Sequence, residues 1–120
     1  MATVNGIYEE QPNNLDILRL KKFVTEILSN FKDDKRILMW DLYNEPGQFG
    51  IGDKSLTLLE LTWEWAYEVR PSQPLTDCLD GSVGEGNIQL NAENWDIITF
   101  NTYEGEKLKE QRDKHKVQKR

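Results

Sequence analysis

The sequence predicts an α/β fold in which about three parallel strands alternate with helices. Residues 15–30 carry apolar side chains at helical spacing, and a mostly apolar, strand-like run at 36–43 follows after a short charged loop. A second helical pattern at 55–70 precedes two more strand-like runs, at 74–79 and 95–100. Helices and strands that alternate in this way are typical of βαβ units, in which the strands are parallel.

The composition limits the size of the protein and the partners it can bind. A chain of 120 residues can form one domain. It carries 15 basic and 21 acidic residues, a balance that argues against nucleic acid or an anionic membrane as the main partner. A neutral polymer such as a polysaccharide is compatible with this charge.

The sequence contains no sign of a metal site, a cofactor site or a targeting segment. Cys78 is the single cysteine, so an internal disulfide is ruled out, and no Cys and His cluster has metal-ligand spacing. We find no signal peptide and no apolar run long enough to span a bilayer. The localisation therefore stays open.

The first helix is predicted to follow an irregular leader at residues 1–14, which has no apolar periodicity. The apolar residues of this helix are Ile17, Leu20, Val24, Ile27, Leu28 and Phe31. Charged residues fall between them, so the helix is amphipathic with one buried face. Asn14 is a plausible N-cap, and Asn30 can end the helix in the left-handed conformation.

The most informative stretch extends from Arg36 to Gly47, where an apolar run leads into Asn44 and Glu45 and then into a turn. Because Pro46 bars its predecessor from the right-handed helical region, we expect Glu45 to be extended, with its carboxylate projecting from the strand end. Asn44 can both donate and accept, which suits a sugar hydroxyl. Neighbours on a regular strand point to opposite faces, so a site shared by both residues requires a bulge or break.

The second half of the chain predicts two more strands. Pro71 ends the second helix, and Asp77 and Asp80 lie near the end of the strand at 74–79. Either aspartate can bind a sugar hydroxyl, although we favour turn formation. Cys78 is interpreted as a small buried residue, with no adjacent histidine to activate it.

A third strand ends at Asn101 and Tyr103 and is followed by a charged helix at 106–116. The folded unit is thus expected over 15–112. The basic tail at 113–120 is interpreted as a helix end or a disordered terminus, or else as a weak anion-binding tail.

The segment Trp-Asp-Leu-Tyr-Asn-Glu-Pro at residues 40–46 resembles the strand-four signature of retaining glycoside hydrolases with (β/α)8 barrels, the cellulase-like clan that includes glycoside hydrolase family five. The resemblance implies that Glu45 is the general acid/base and that Asn44 binds the sugar hydroxyl next to the cleaved bond. Residues 15–112 would then be strands four to six of a partial TIM barrel. Proteins of this clan are often secreted.

The third strand supports the same resemblance in part. Strand six of the clan often ends in His-x-Tyr, whose tyrosine hydrogen-bonds the catalytic nucleophile. Tyr103 matches this tyrosine, and Asn101 stands where the histidine is expected. The resemblance therefore implies that Asn101 and Tyr103 contact substrate.

The chain is too short for the whole barrel, which needs about 250 residues. Retaining hydrolysis needs two carboxyl groups about 5–5.5 Å apart, and the family's nucleophile ends strand seven, for which no residues remain. We therefore expect a hydrolase segment that carries the acid/base half of the machinery, binds carbohydrate, needs no cofactor and is inactive in isolation.

Two other hypotheses stay open. One is a non-catalytic carbohydrate-binding or self-assembling half barrel, because three parallel strands leave exposed edges that favour a homo-oligomer. The other keeps hydrolytic activity in the chain by using Glu104 or Asp77 as the second carboxylate.

Overall fold

The structure is a computed structural model that describes residues 14–79, 84–103, 105–110 and 112–113. Its helices are α1 (Asn14–Phe31), α2 (Leu56–Val69) and α3 (Glu85–Asn94). Its strands are β1 (Trp40–Asp41), β2 (Leu75–Thr76), β3 (Cys78–Leu79) and β4 (Thr99–Phe100). Short 3-10 turns at Gly52–Ser55 and Gly105–Lys107 complete the described part. The predicted leader lies outside the described residues except for its last residue, and so does the tail after residue 113.

The helix α1 agrees with its predicted span. It begins at Asn14 and ends at Phe31, so Asn30 is still helical and the expected left-handed end at Asn30 is wrong. Leu20, Val24 and Leu28 of its apolar face are buried, and this face packs against α2. The helical spacing of the apolar residues thus predicted both the helix and its buried side.

The strands are parallel, as predicted, but much shorter than the apolar runs suggested. Trp40 of β1 pairs with Leu75 of β2, and Cys78 of β3 pairs with Thr99 of β4. The predicted strand at 74–79 is divided into β2 and β3 at Asp77, whose side chain accepts a hydrogen bond from the Tyr43 backbone N–H. Within the described residues the structure is α/β with two small parallel sheets.

The helix α2 occupies the centre of the core. Its buried residues are Leu58, Leu59, Thr62, Trp63, Trp65 and Ala66, and the helix contacts both α1 and α3. The Trp63 indole nitrogen donates to Asn91 Oδ1 at 3.0 Å. Both tryptophans of this helix pack in the core. None of the helices in the described ranges is long and apolar enough to cross a membrane.

A distant side chain supports the first turn of the helix α3. The Asp53 carboxylate accepts hydrogen bonds from the backbone N–H groups of Gly86 and Asn87. The Asn87 amide in turn donates to the Gly52 carbonyl and the Ser55 hydroxyl. These hydrogen bonds connect the segment that precedes α2 to the start of α3.

The helix predicted at 106–116 is shown only in its first part. A 3-10 turn at Gly105–Lys107 leads into helical residues at 108–110 and 112–113. The rest of that span lies outside the described residues.

Candidate functional site

Glu45 lies just beyond the carboxyl end of β1, beside the neighbouring strand β3. Its backbone N–H donates to the Cys78 carbonyl at 2.6 Å. Its φ angle is 52°, so the expectation of an extended Glu45 is wrong. The backbone turns here because the Glu45 carbonyl also accepts a hydrogen bond from Gln48, which closes a turn over Pro46. A left-handed non-glycine residue costs about 1–3 kcal/mol and persists only where its surroundings fix it.

The left-handed backbone of Glu45 is the break in the strand that a shared site for Asn44 and Glu45 requires. The Asn101 amide nitrogen donates to Glu45 Oε1 at 2.8 Å and to Asn44 Oδ1 at 3.2 Å. One amide from the end of β4 thus connects both side chains at the end of β1.

Tyr103 adds a second donor to the same carboxylate. Its hydroxyl donates to Glu45 Oε1 at 2.6 Å, the length of a strong bond to a charged acceptor. The Tyr103 side chain is 83% exposed, whereas Glu45 is only 3% exposed. The resemblance implied a bond from this tyrosine to a nucleophile, but the hydroxyl contacts the proposed acid/base.

Cys78 closes the network on the side away from Glu45. Its thiol donates to Asn101 Oδ1 at 3.0 Å, while the Asn101 backbone N–H donates to the Leu79 carbonyl. Burial, aided by the negative charge of Asp41, raises the pKa of the Cys78 thiol to about 11. The thiol therefore keeps its proton at neutral pH and remains a donor.

Asp41 and Asp77 are two buried carboxyl groups behind this network. Asp41 Oδ1 accepts from the Cys78 backbone N–H, and Asp77 Oδ1 accepts from the Tyr43 N–H. Burial raises the pKa of Asp41 to about 6, with the charge of Glu45 contributing. Burial and the charge of Asp41 raise the pKa of Asp77 well above its usual range.

The turn role that the sequence favoured for Asp77 is wrong, because this residue lies between β2 and β3 with no exposed surface. Its Oδ2 has no hydrogen-bond partner within the described residues. A neutral acid is the form that such a site tolerates best, since an unpaired buried charge is costly.

The structure brings together the four residues singled out from the sequence, Asn44, Glu45, Asn101 and Tyr103. Sequence reasoning missed the parts that Asp41 and Cys78 play around them. An aspartate inside an apolar strand run was the available signal for Asp41, whereas nothing in the sequence indicated the contact of Cys78.

The arrangement holds a carboxylate between two donors and beside an amide, which suits proton transfer and hydrogen bonding to hydroxyl groups. No group of His, Cys, Asp and Glu side chains in the described part is arranged to hold a metal ion. Family models, curated proteins and solved structures were all compared with this chain, and none matches it.

Proposed function

We propose that this chain is a segment of a retaining glycoside hydrolase, with Glu45 as the general acid/base and Asn44, Asn101 and Tyr103 as substrate contacts. One observation carries the proposal: Asn101 and Tyr103 lie 56 and 58 positions from Glu45 and both donate to its carboxylate. The motif around Glu45 alone does not require that contact. The strand-six resemblance at Asn101 and Tyr103 and the motif around Glu45 are separate features of the sequence. Their residues lie in one cluster.

The proposal includes a partial (β/α) barrel, and the strand arrangement supports it. The pairs β1–β2 and β3–β4 are both parallel, and α2 and α3 lie in the connections between successive strands. Glu45 follows the carboxyl end of β1, and Asn101 follows that of β4. In barrel enzymes the active site is built at this end of the strands.

The chemistry assigned to Glu45 has two steps. As an acid it protonates the glycosidic oxygen of the leaving group, and as a base it then takes a proton from the water that releases the sugar. The second carboxylate must stand about 5–5.5 Å away. Asp77 does not suit that role, because it is fully buried and bonded to the Tyr43 N–H. Glu104 lies outside the described residues.

The direct test of the substrate class is calorimetric titration with soluble cello-, manno- and xylo-oligosaccharides. We expect one of these series to bind with a Kd of about 1 mM, or about −4 kcal/mol, because only part of a cleft is present in the proposal. Asn44→Ala should weaken this binding at least about threefold, since it removes a hydrogen-bonding amide. Gln89→Ala, which removes an amide on α3, is the matched control. Binding unaffected by Asn44→Ala, or no binding of any series, would contradict the proposal.

The role of Glu45 as an acid has its own test. Azide can act as an external nucleophile on a phenyl glycoside: it forms a bond to the anomeric carbon while the bond to the phenoxy oxygen breaks and an acid protonates that oxygen. We expect slow, azide-dependent phenol release that is lost in Glu45→Gln and kept in Glu64→Gln, which changes an exposed glutamate of α2. Equal release by Glu45→Gln would argue against the acid role.

A second candidate function is a self-assembling carbohydrate-binding half barrel. Within the described residues β1 and β4 each pair on one side only, and Leu38, just before β1, is 80% exposed. Such edges favour pairing with another copy. Sedimentation separates the two candidates, because a monodisperse dimer favours the module and a monomer favours the hydrolase segment.

A further inference from the structure

The orientation of the Asn101 side-chain amide is decided by its neighbours on both sides. Its nitrogen lies 2.8 Å from Glu45 Oε1 and 3.2 Å from Asn44 Oδ1, and both atoms are oxygens that can accept. A carbonyl oxygen in the same place would oppose the carboxylate without a proton between them. The two acceptors therefore require the NH₂ group on this side.

The opposite side of the amide must then offer a donor to Asn101 Oδ1. The atom there is Cys78 Sγ at 3.0 Å, and a thiol has one proton to give. The thiol is held in position by its own backbone, since the Cys78 carbonyl accepts from Glu45 and the Cys78 N–H donates to Asp41. The raised pKa of the thiol keeps the proton in place at neutral pH.

We propose that Cys78 is a positioning residue for the Glu45 carboxylate: its thiol proton fixes the Asn101 amide in the orientation that donates to Glu45. This inference rests on the proposed function for its catalytic meaning. Without the thiol proton the amide keeps its two acceptors, Glu45 and Asn44, but loses the hydrogen bond that holds its other end. The bond from Asn101 to the proposed acid/base is then less firmly held, and Tyr103 is the second donor to the same carboxylate.

Three substitutions of Cys78 distinguish the effect of the thiol proton from the effect of side-chain packing. Cys78→Ser keeps a donor, whereas Cys78→Ala and Cys78→Val remove it. Valine is somewhat larger than cysteine but fills the site with an apolar side chain and suits a strand, so it serves if the alanine variant folds poorly. The Asn101 side-chain amide is assigned in nitrogen-proton NMR spectra by comparison with Asn101→Ala, in which its signals are missing.

The measured quantity is hydrogen exchange of the Asn101 side-chain amide. We expect exchange to be faster by about threefold to tenfold in Cys78→Ala and Cys78→Val, the range that loss of one hydrogen bond gives. Cys78→Ser should stay within about twofold of the unmodified chain. The Asn94 side-chain amide, which donates to the Leu90 carbonyl, is the internal control for general loosening and should not change.

Two results would overturn the proposal. One is unchanged Asn101 exchange in Cys78→Ala and Cys78→Val. The other is equally fast exchange in Cys78→Ser, because the presence of a donor would then have no effect.

Oligosaccharide binding tests the link to the proposed function separately. We expect Cys78→Ala to weaken it by about threefold, with recovery in Cys78→Ser. If the unmodified chain binds no oligosaccharide, the proposed function fails, while the exchange data still decide whether Cys78 positions Asn101. If the unmodified chain binds and the exchange does not depend on the Cys78 donor, the positioning role alone fails.

Discussion

Asp41 and Asp77 place two carboxyl groups inside the protein at the point where the regular pairing of β1 with β2 ends. Each accepts a backbone N–H from the neighbouring segment, so the pair connects the two chain segments that carry Glu45 and Cys78. Burial favours the neutral form of both groups. Their ionisation therefore acts on stability as well as on the site.

The stability of the chain should fall as the pH rises from about 4 to about 6. The pKa of Asp41 is raised from 3.8 to about 6, so over this range the folded state holds a proton that the unfolded state has lost. The stabilisation is complete below pH 4 and is lost as the pH passes the folded-state pKa. It amounts to at most about 3 kcal/mol for this group. Urea unfolding at pH 4.5 and pH 7 measures about two thirds of this amount, because an aspartate of the unfolded state is already largely ionised at pH 4.5.

Asp41→Asn keeps an oxygen that can accept from Cys78 and removes the ionisation. We expect the difference in the free energy of unfolding between the two pH values to shrink by up to about 2 kcal/mol. Asp33→Asn, at an exposed aspartate in the loop after α1, is the matched control and should leave the difference unchanged. An equal pH dependence in Asp41→Asn and the unmodified chain would show that Asp41 ionises with its ordinary pKa.

The sequence singled out the four candidate site residues but did not predict the backbone conformation of Glu45. Asn44, Glu45, Asn101 and Tyr103 were chosen from strand ends and motif resemblance, and the structure joins them. The left-handed φ of Glu45 was missed, because the prediction used only the local effect of Pro46 on the residue before it. The hydrogen bond to the Cys78 carbonyl that accompanies this conformation comes from another strand.

Among the elements, α3 depends most on a distant residue. The Asp53 carboxylate accepts from the N–H groups of Gly86 and Asn87, as an N-cap does, although it belongs to the segment before α2. A negative charge at this end also interacts favourably with the helix dipole. The start of α3 was therefore not predictable from its own sequence, whereas α1 and α2 were, because their apolar spacing is local.

Asp53→Ala should lower the free energy of unfolding by about 1 kcal/mol, the usual value of a lost N-cap. Asp53→Asn keeps the acceptor oxygen and should cost less. Chemical denaturation measures both variants. An exposed carboxylate without a capping contact would give no loss, so a cost below about 0.3 kcal/mol in Asp53→Ala would contradict the capping role.

Gly84 leaves room for the Asp53 carboxylate at the start of α3. Its φ is 89°, and a Cβ atom added there would fall on the Asp53 carboxylate. We expect Gly84→Ala to be more destabilising than Asp53→Ala, because it adds backbone strain and a clash to the lost cap. Gly105→Ala is the control for a glycine with open space around the added Cβ. Denaturation curves that rank the two glycine variants equally would be inconsistent with this packing.

For the whole molecule, the core around α2 determines whether the chain folds as one unit. Leu59 has no exposed surface, and Leu59→Ala should lower the free energy of unfolding by about 2–5 kcal/mol. Leu18→Ala, at a residue that is 64% exposed on α1, should change it by less than about 0.5 kcal/mol. Circular dichroism and tryptophan fluorescence should report one coincident transition. Similar costs for both substitutions would contradict the core described here.

The alternation of helices and parallel strands was predictable from the apolar pattern, but the extent of the sheets was not. The predicted runs are long and apolar, yet pairing covers only two residues in each strand. The apolar pattern of a segment indicates that the segment is buried. Strand pairing also requires a neighbouring strand at the matching register. Asp77 lies between β2, which pairs with β1, and β3, which pairs with β4.

The most direct test of a substrate site at Glu45 is the position of a bound sugar on the chain. In the complex with the oligosaccharide that binds best, we predict intermolecular nuclear Overhauser effects between sugar ring protons and both the Tyr103 ring and the Asn44 side-chain amide. Contacts confined to the groove between α2 and α3, lined by Leu56, Glu60, Leu90 and Glu93, would contradict a substrate site at Glu45.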